Sequence, residues 1–253
     1  MEKTIEMLRG KNAFITGCNR GIGRAILDKL MSCDANIYCA IKKEDTNFSE
    51  YLENYNRNSG SKAEIIILDL SNGDHLKDSI KILYEKKEKI DILINNAGIA
   101  DGALFEMTSI KTMKDVFEIN FFSQIQLTQL LLRFMKKSDS ACIVNIGSVS
   151  GLTPERGTIS YGSSKAALMF ATKVMANELS RFNIRVNAIA PSLIKTDMLD
   201  QMDDKSINKI LDQTYSGKIG EARDIADLVL YLVSDSAKLI NGQIIRVDGG
   251  MKL

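Results

Sequence analysis

Tyr161 and Lys165, four residues apart in the stretch YGSSK, are the first pair whose types and spacing could do chemistry. On a helix that spacing puts both side chains on one face, about 6 Å apart along the axis. A phenol with its ordinary pKa of about 10 is a poor base at neutral pH and a serviceable proton donor. A neighbouring ammonium favours the phenolate, so the spacing predicts a tyrosine acidified toward neutrality, able to give or take a proton. Taken alone, the pair reads first as an ordinary exposed helical couple. A second group lies near the N-terminus. TGCNRGIG puts Gly17, Gly21 and Gly23 directly behind the apolar run NAFI and ahead of the helical RAILDKLMS. Glycine costs conformational entropy there, which implies that something comes very close. A strand, a glycine turn and a helix start present free backbone N–H groups and the positive end of a helix dipole to an anion. The pyrophosphate of a dinucleotide is the expected guest; a purely structural glycine turn is the bland alternative.

Something has to hold these groups in place. Strand-like apolar runs at 12–16, 36–41, 64–69, 90–95, 141–147, 184–190 and 243–247 alternate with helical patterns at 21–32, 48–58, 74–88, 109–136, 161–181 and 222–233. Several strands are nearly continuous in Ile, Leu and Val, as expected when helices cover both sheet faces. Strict alternation predicts a parallel sheet with right-handed crossovers. The expected fold is α/β: one Rossmann-type, doubly wound domain over 1–253 with about seven strands. The longest stretch without a strand pattern, 191–242, opens with PSLIKTDMLDQMDDK just beyond a strand end. Ligands of open α/β sheets bind beyond the carboxyl ends of strands, so about 192–218 is expected to form a substrate lid.

Composition removes several classes. Lys and Arg number 33 against 32 Asp and Glu, so no basic surplus suggests nucleic acid or an acidic membrane. The N-terminal MEKTIEMLRGKN has no apolar core of a secretory signal, and no apolar run reaches membrane-spanning length; a cytoplasmic protein is expected. Cys18, Cys33, Cys39 and Cys142 show no C-x-x-C spacing, which predicts reduced thiols and no metal site. The single histidine, His75, is expected in the first turn of a surface helix, and no G-x-S-x-G elbow supports a hydrolase.

The glycine pattern T-G-x-x-x-G-I-G resembles the cofactor loop of the short-chain dehydrogenases/reductases, and further motifs follow in that family's order along nearly all 253 residues. LDL at 68–70, NNAG at 95–98, Asn120 in FEIN, Ser148 in NIGSVSG, YGSSK at 161–165, RVNAIAPSLIKTDM at 185–198 and INGQIIRVDGG near the end all match. The resemblance implies a nicotinamide cofactor held by Gly17, Asn19, Arg20, Gly21, Ile22, Gly23, Asp69, Leu70, Asn96, Ala97 and Gly98, with Pro191, Ile194 and Thr196 on its far side. It implies a catalytic tetrad of Asn120, Ser148, Tyr161 and Lys165. Tyr161 would protonate the carbonyl oxygen that Ser148 hydrogen-bonds, Lys165 would also bind the nicotinamide ribose, and Asn120 would anchor a water. Where the family has Pro-Gly, this chain has Pro191-Ser192.

NAD-preferring relatives carry an acid at the end of the second strand, where Ala40 stands here, followed by Lys42 and Lys43. With Arg20 these cations favour NADP(H) over NAD(H), because a 2′-phosphate would be paired by them. Glu44 and Asp45 point the other way from further along the loop. The motifs are most similar to the bacterial 3-oxoacyl-[acyl-carrier-protein] reductase branch, which implies an acyl-thioester substrate and docking of acyl carrier protein. Arg133, with Lys136 and Lys137, stands where one docking arginine is expected; the other position is Asn177, with Arg181 one turn on. Pro154, Glu155 and Arg156 also depart from that branch. Leu104, Leu152, Met198, Leu199 and Met202 would line an apolar pocket, or simply pack in the core. A keto-sugar or small-ketone reductase is the alternative, and a cofactor-binding protein without turnover the third reading. By resemblance the chain should form a homotetramer, with a dimer as runner-up, through the helices at 109–136 and 161–181.

Overall fold

The computed structural model describes residues 7–196 and 204–252. Strands β1 (Asn12–Thr16), β2 (Asn36–Ile41), β3 (Ala63–Ile67), β4 (Ile92–Asn95), β5 (Ala141–Ile146), β6 (Ile184–Pro191) and a last strand, Ile244–Val247, form one seven-stranded sheet. The spatial order is β3-β2-β1-β4-β5-β6 and then the last strand, and every pairing is parallel. The chain winds outward from β1 in one direction and from β4 in the other. The crevice at their carboxyl ends is therefore the place where such a sheet binds ligands.

Side-chain alternation along the strands builds two cores. On one face Ala13 and Ile15 of β1 and Ile37, Cys39 and Ile41 of β2 pack with Ile26, Leu27 and Leu30 of α1 (Gly21–Met31). Phe14, Tyr38, Leu93 and Ile143 point the opposite way, as the strand period of two requires. They meet Leu127, Leu131 and Phe134 on the helix Ser123–Met135 and Ala176 and Leu179 on the helix Ile159–Leu179. Both faces are covered, which is why the strands read as unbroken apolar runs. All four cysteines are buried free thiols.

Three expectations need correction. The helix pattern at 48–58 begins earlier, as α2 (Thr46–Asn58), because Asp45 caps it. The pattern at 74–88 is a 3₁₀ turn (Gly73–His75) followed by α3 (Leu76–Ser79) and α4 (Lys81–Lys86). The break at Ile80 lets Leu76, Ile80 and Leu83 all be fully buried, while His75 is exposed. The pattern at 109–136 is α5 (Ile110–Phe117), a π-helical turn (Glu118–Phe122) and α6 (Ser123–Met135). One extra residue per turn re-aims a side chain, and such turns gather at functional sites. The long helix is α7 (Ile159–Leu179).

The segment 191–242 also holds strands. β7 (Ile194–Lys195) pairs in parallel with β8 (Gly220–Glu221), with α8 (Asp204–Asp212) between them and α9 (Ala222–Val233) after; the seventh strand of the main sheet is thus β9. Two-residue strands leave no periodic signal to read. Met198, Leu199 and Met202 lie outside the described residues. Among the described residues no helix is long and apolar enough to cross a membrane.

Candidate active site

β1 ends at Thr16 and β4 at Asn95, so the glycine loop and the NNAG segment leave adjacent strands side by side. Thr16 ties them together: its Oγ1 accepts the N–H groups of Asn96 and Ala97, each at 3.0 Å. Asn96 Nδ2 donates to the carbonyls of Thr16 (2.9 Å) and Gly17 (3.0 Å). The three glycines have different reasons. Gly17 (φ +65°) and Gly21 (φ +54°) occupy the left-handed region that side chains avoid. Gly23 lacks room, because a Cβ there would sit 2.0 Å from the Gly17 carbonyl oxygen. The close approach implied by the sequence is thus, at Gly23, the chain's own.

At Gly21 the open side faces Thr196, whose Cγ2 would be 3.4 Å from an added Cβ. α1 begins there with no side-chain cap and no acid in its first turn. Its first N–H groups have no intrahelical acceptor, as at any helix start, and such free donors suit a phosphate. The residues therefore fit a dinucleotide on their own geometry. Ile22 is half-buried on the core, and Ile194, on β7, is buried behind Thr196, whose Oγ1 donates to the Ile194 carbonyl at 3.3 Å. Pro191 closes β6, and Ser192 N donates to the Val247 carbonyl at 3.1 Å. Leu70 is buried, its carbonyl accepting Ser123 Oγ at 2.7 Å.

The tetrad residues converge at the same strand ends. A Cβ on Gly98 would lie 3.1 Å from Asn120 Oδ1 and 3.3 Å from Lys165 Nζ, so NNAG abuts both. Asn120 sits in the π turn. Its Oδ1 accepts Ile99 N at 2.9 Å, and its Nδ2 donates to Ile99 O (2.9 Å) and Ser164 Oγ (3.1 Å). That amide joins the loop after Gly98 to Ser164 on α7. Ser148 caps the start of the 3₁₀ turn Val149–Gly151 after β5, its Oγ accepting Ser150 N at 3.2 Å, and Gly162 lets that turn reach α7: a Cβ on Gly162 would be 2.5 Å from the Ser150 carbonyl oxygen. The second and fourth members of YGSSK, Gly162 and Ser164, are therefore structural partners of the serine turn and of Asn120.

The electrostatics reverse one expectation. Lys165 Nζ donates to the Ile146 carbonyl at 2.8 Å and lies 5.9 Å from the centre of the Tyr161 ring. The Tyr161 phenol is shifted upward, not downward, because burial penalises the phenolate; hydrogen bonding with Ser148 opposes that in part. The ammonium is itself embedded, and burial lowers it from 10.5 to about 8. Helical spacing put the two groups on one face correctly, and desolvation decided the sign.

This lysine predicts a pH-dependent stability. Unfolded, it titrates at 10.5, and folded at about 8, so between these values the unfolded chain binds more protons. Stability then rises with pH through that window, by about 3 kcal/mol for a shift of this size. Lys165→Met removes the term. Urea unfolding at pH 7.5 and 9.5 should show the wild type gaining roughly 2 kcal/mol relative to the variant. A constant difference between the two proteins would contradict a buried ammonium.

Beyond the carboxyl ends of β2 and β3, Lys42 Nζ lies 3.6 Å from Asp69 Oδ1 and is two-thirds exposed, so its charge is partly matched within the protein. Asp69 accepts Ser71 N and Oγ at 2.9 and 2.7 Å. Asn19 Nδ2 donates to Asp45 Oδ2 at 2.9 Å. Arg20 is exposed at the start of α1. Sequence reading passed over Thr16, Ser164 and Gln124, whose Nε2 donates to the Ala97 carbonyl at 2.6 Å. Gln124 stands one turn after Asn120, and that spacing was the available signal.

A groove of about 600 Å³ opens beside the serine turn, between Leu104–Glu106, the 150–159 loop and the outer face of α7. Leu104 and Leu152 line it, together with Glu106, Pro154, Glu155 and Arg156, so its wall is mixed and not purely apolar. Arg133 stacks on Tyr84 (4.6 Å to the ring centre), and Lys136 and Arg181 approach the same Phe182 ring at 3.9 and 4.7 Å. Asn177 is exposed on α7.

Comparison with known proteins adds to this geometry. A family model described as enoyl-(acyl carrier protein) reductase matches residues 17–252. A 3-oxoacyl-[acyl-carrier-protein] reductase of Aquifex aeolicus is 36% identical over 244 residues, covering 96% of this chain and 98% of its own. One from Haemophilus influenzae is 36% identical over 252 residues, covering 97% and 100%. Among solved structures, a Burkholderia cenocepacia short-chain dehydrogenase in complex with NADP superposes with a TM-score of 0.88 at 28% identity, over 96% of this chain and 98% of its own. A putative gluconate dehydrogenase from Agrobacterium tumefaciens gives a TM-score of 0.90 at 27% identity, over 98% of each chain.

Proposed function

Because this chain belongs to the short-chain dehydrogenase/reductase family, we propose that it is an NADPH-dependent reductase of a 3-oxoacyl thioester on acyl carrier protein, forming the 3-hydroxyacyl product. The family binds a nicotinamide cofactor, and the protein is an oxidoreductase. The observation that carries the chemistry is the buried Tyr161 phenol, kept protonated, beside the Ser148 hydroxyl. A nicotinamide cofactor held by the glycine loop and Lys165 would supply the hydride that the carbonyl carbon receives. Negative charge then grows on the carbonyl oxygen, where the Ser148 hydroxyl donates a hydrogen bond and Tyr161 Oη delivers the proton. The phenol, shifted upward by burial, holds its proton at neutral pH, so the form present is the one that carries the proton to be given. Lys165, poised near 8, is the cation that shares the site and binds the cofactor's ribose. Asn120 positions the Gly98 loop against α7.

The names of the relatives support the thioester. The family model is described by a C=C reduction on the same carrier. A paired hydroxyl donor set suits a developing alkoxide, so we place the reaction at C=O. The cations Arg133, Lys136 and Arg181, gathered on aromatic rings, offer a basic face to an acidic carrier protein. Exposed Phe122, Phe170 and Val174 on the π turn and α7 support a homotetramer through these helices, which sedimentation of the purified protein would read. The chain is read as one domain; the stretch at about 192–218 read as a substrate lid includes 197–203, which lie outside the described residues. A keto-sugar or other polar ketone is the second reading, favoured by the charged wall of the groove and the similarity to a putative gluconate dehydrogenase.

The test is oxidation of NADPH and NADH by purified protein with acetoacetyl thioesters of acyl carrier protein and of a small thiol, and with a panel of keto-sugars. Turnover of the carrier thioester with NADPH is expected to lead. Turnover confined to keto-sugars would move the protein to the second reading.

A further inference from the structure

Asp45 lies at the N-cap of α2, several residues beyond the strand-end position where an acid ordinarily meets the ribose, and Ala40 occupies that position here. Folding nevertheless brings it to the glycine loop. Its Oδ1 accepts Phe48 N at 3.1 Å, and its Oδ2 accepts Asn19 Nδ2 at 2.9 Å. Asn19 stands between Cys18 and Arg20, in the loop whose next residue opens α1. A carboxylate is thus latched to the rim of the dinucleotide seat. Both of its hydrogen bonds favour the ionised form, which holds its pKa below the usual carboxylate value. Nearby, Asp69 already faces Lys42. Two negative groups therefore stand among the cations that would recognise a phosphorylated ribose.

We propose that Asp45 is a specificity-determining residue, which opposes a 2′-phosphate through its latch to Asn19 and holds the preference for NADP(H) below what Arg20, Lys42 and Lys43 would set. The inference rests on the reading of the glycine loop as a dinucleotide seat. A 2′-phosphate accepting a hydrogen bond from Asn19 would lie within a few ångströms of this carboxylate and be repelled by it, whereas the pyrophosphate, common to both cofactors, does not tell them apart. A ribose bearing a free 2′-hydroxyl carries no such charge and can donate to a carboxylate instead. Asp45 thereby acts as a distant substitute for the missing strand-end acid.

Asp45→Asn isolates the charge, because asparagine caps helices as well as aspartate and keeps an oxygen for Asn19. Dissociation constants for NADP+ and NAD+ would be measured by calorimetry on wild type and variant, at low ionic strength and at about 1 M salt, where the Debye length is about 3 Å. The expected result is a rise of about tenfold in preference for NADP+ at low salt, shrinking at high salt as a screened charge effect must. Asp45→Ser, a shorter cap without charge, should move the ratio the same way. A ratio within about twofold of wild type, or equal weakening of both cofactors, would overturn the proposal and leave Asp45 a helix cap only. Wild-type protein binding neither cofactor would instead remove the parent reading, and this inference with it.

Discussion

Replacing Tyr161 by phenylalanine is expected to lower turnover by about 10³-fold while leaving cofactor affinity nearly unchanged, since a positioned proton donor contributes on that order. The substitution removes one oxygen and keeps the ring, which lies 5.9 Å from Lys165 Nζ, so packing at the head of α7 should survive. It also removes a phenol that burial keeps protonated. The two readouts separate chemistry from binding. Single-turnover reduction by bound cofactor reports the first, and calorimetric titration of the cofactor the second. A variant retaining more than about a tenth of wild-type turnover would mean that another group protonates the product oxygen.

Gly23→Ala should act at the opposite end of the site and by a different cause. The position is helical, and alanine is the better helix former by roughly 1 kcal/mol, so local propensity alone predicts stabilisation. Space decides otherwise. The new Cβ would be 2.0 Å from the Gly17 carbonyl oxygen, a backbone atom, and 2.5 Å from Asn96 Nδ2, a side-chain end held by two hydrogen bonds. The loop must open by about 1 Å, at an overpacking cost of roughly 1–3 kcal/mol. Opening it breaks the Asn96 bond to Gly17 and displaces the N–H groups at the head of α1. Cofactor affinity should fall by about 10²-fold, the scale on which a 1 Å misplacement acts. Gly60→Ala, where nothing lies within 4 Å of an added Cβ, serves as the silent control. Equal cofactor affinity in Gly23→Ala and Gly60→Ala would show that this loop is not the seat.

Much of the arrangement was legible in residue order. Strand and helix periodicity located all seven main-sheet strands to within one residue at the start or the end, and covering both faces explains their apolar runs. Gly17, Gly21 and Gly23 announced a crowded loop, and the motifs after β4, β5 and β6 did meet at one end of the sheet. What escaped reading depended on length or on distance. β7 and β8 are two residues each, too short for any period to register. The π turn at Glu118–Phe122 hides inside a continuous apolar helix pattern, because a single inserted residue does not interrupt composition. Thr16, bonding to a segment some eighty positions away, has no neighbour in sequence that reveals its task.

The sequence by itself determined which side chains can donate a proton, which backbone positions need glycine, and the alternation that makes a parallel sheet; each follows from local geometry and the period of side-chain direction. Only the tertiary structure decided the sign of the Tyr161 shift, the identity of the atom crowding Gly23, and the return of Asp45 to the glycine loop. The physical reason is common to all three. Desolvation, steric contact and the field of a charge depend on distance through space, and chain separation carries no record of that until helices and strands have packed.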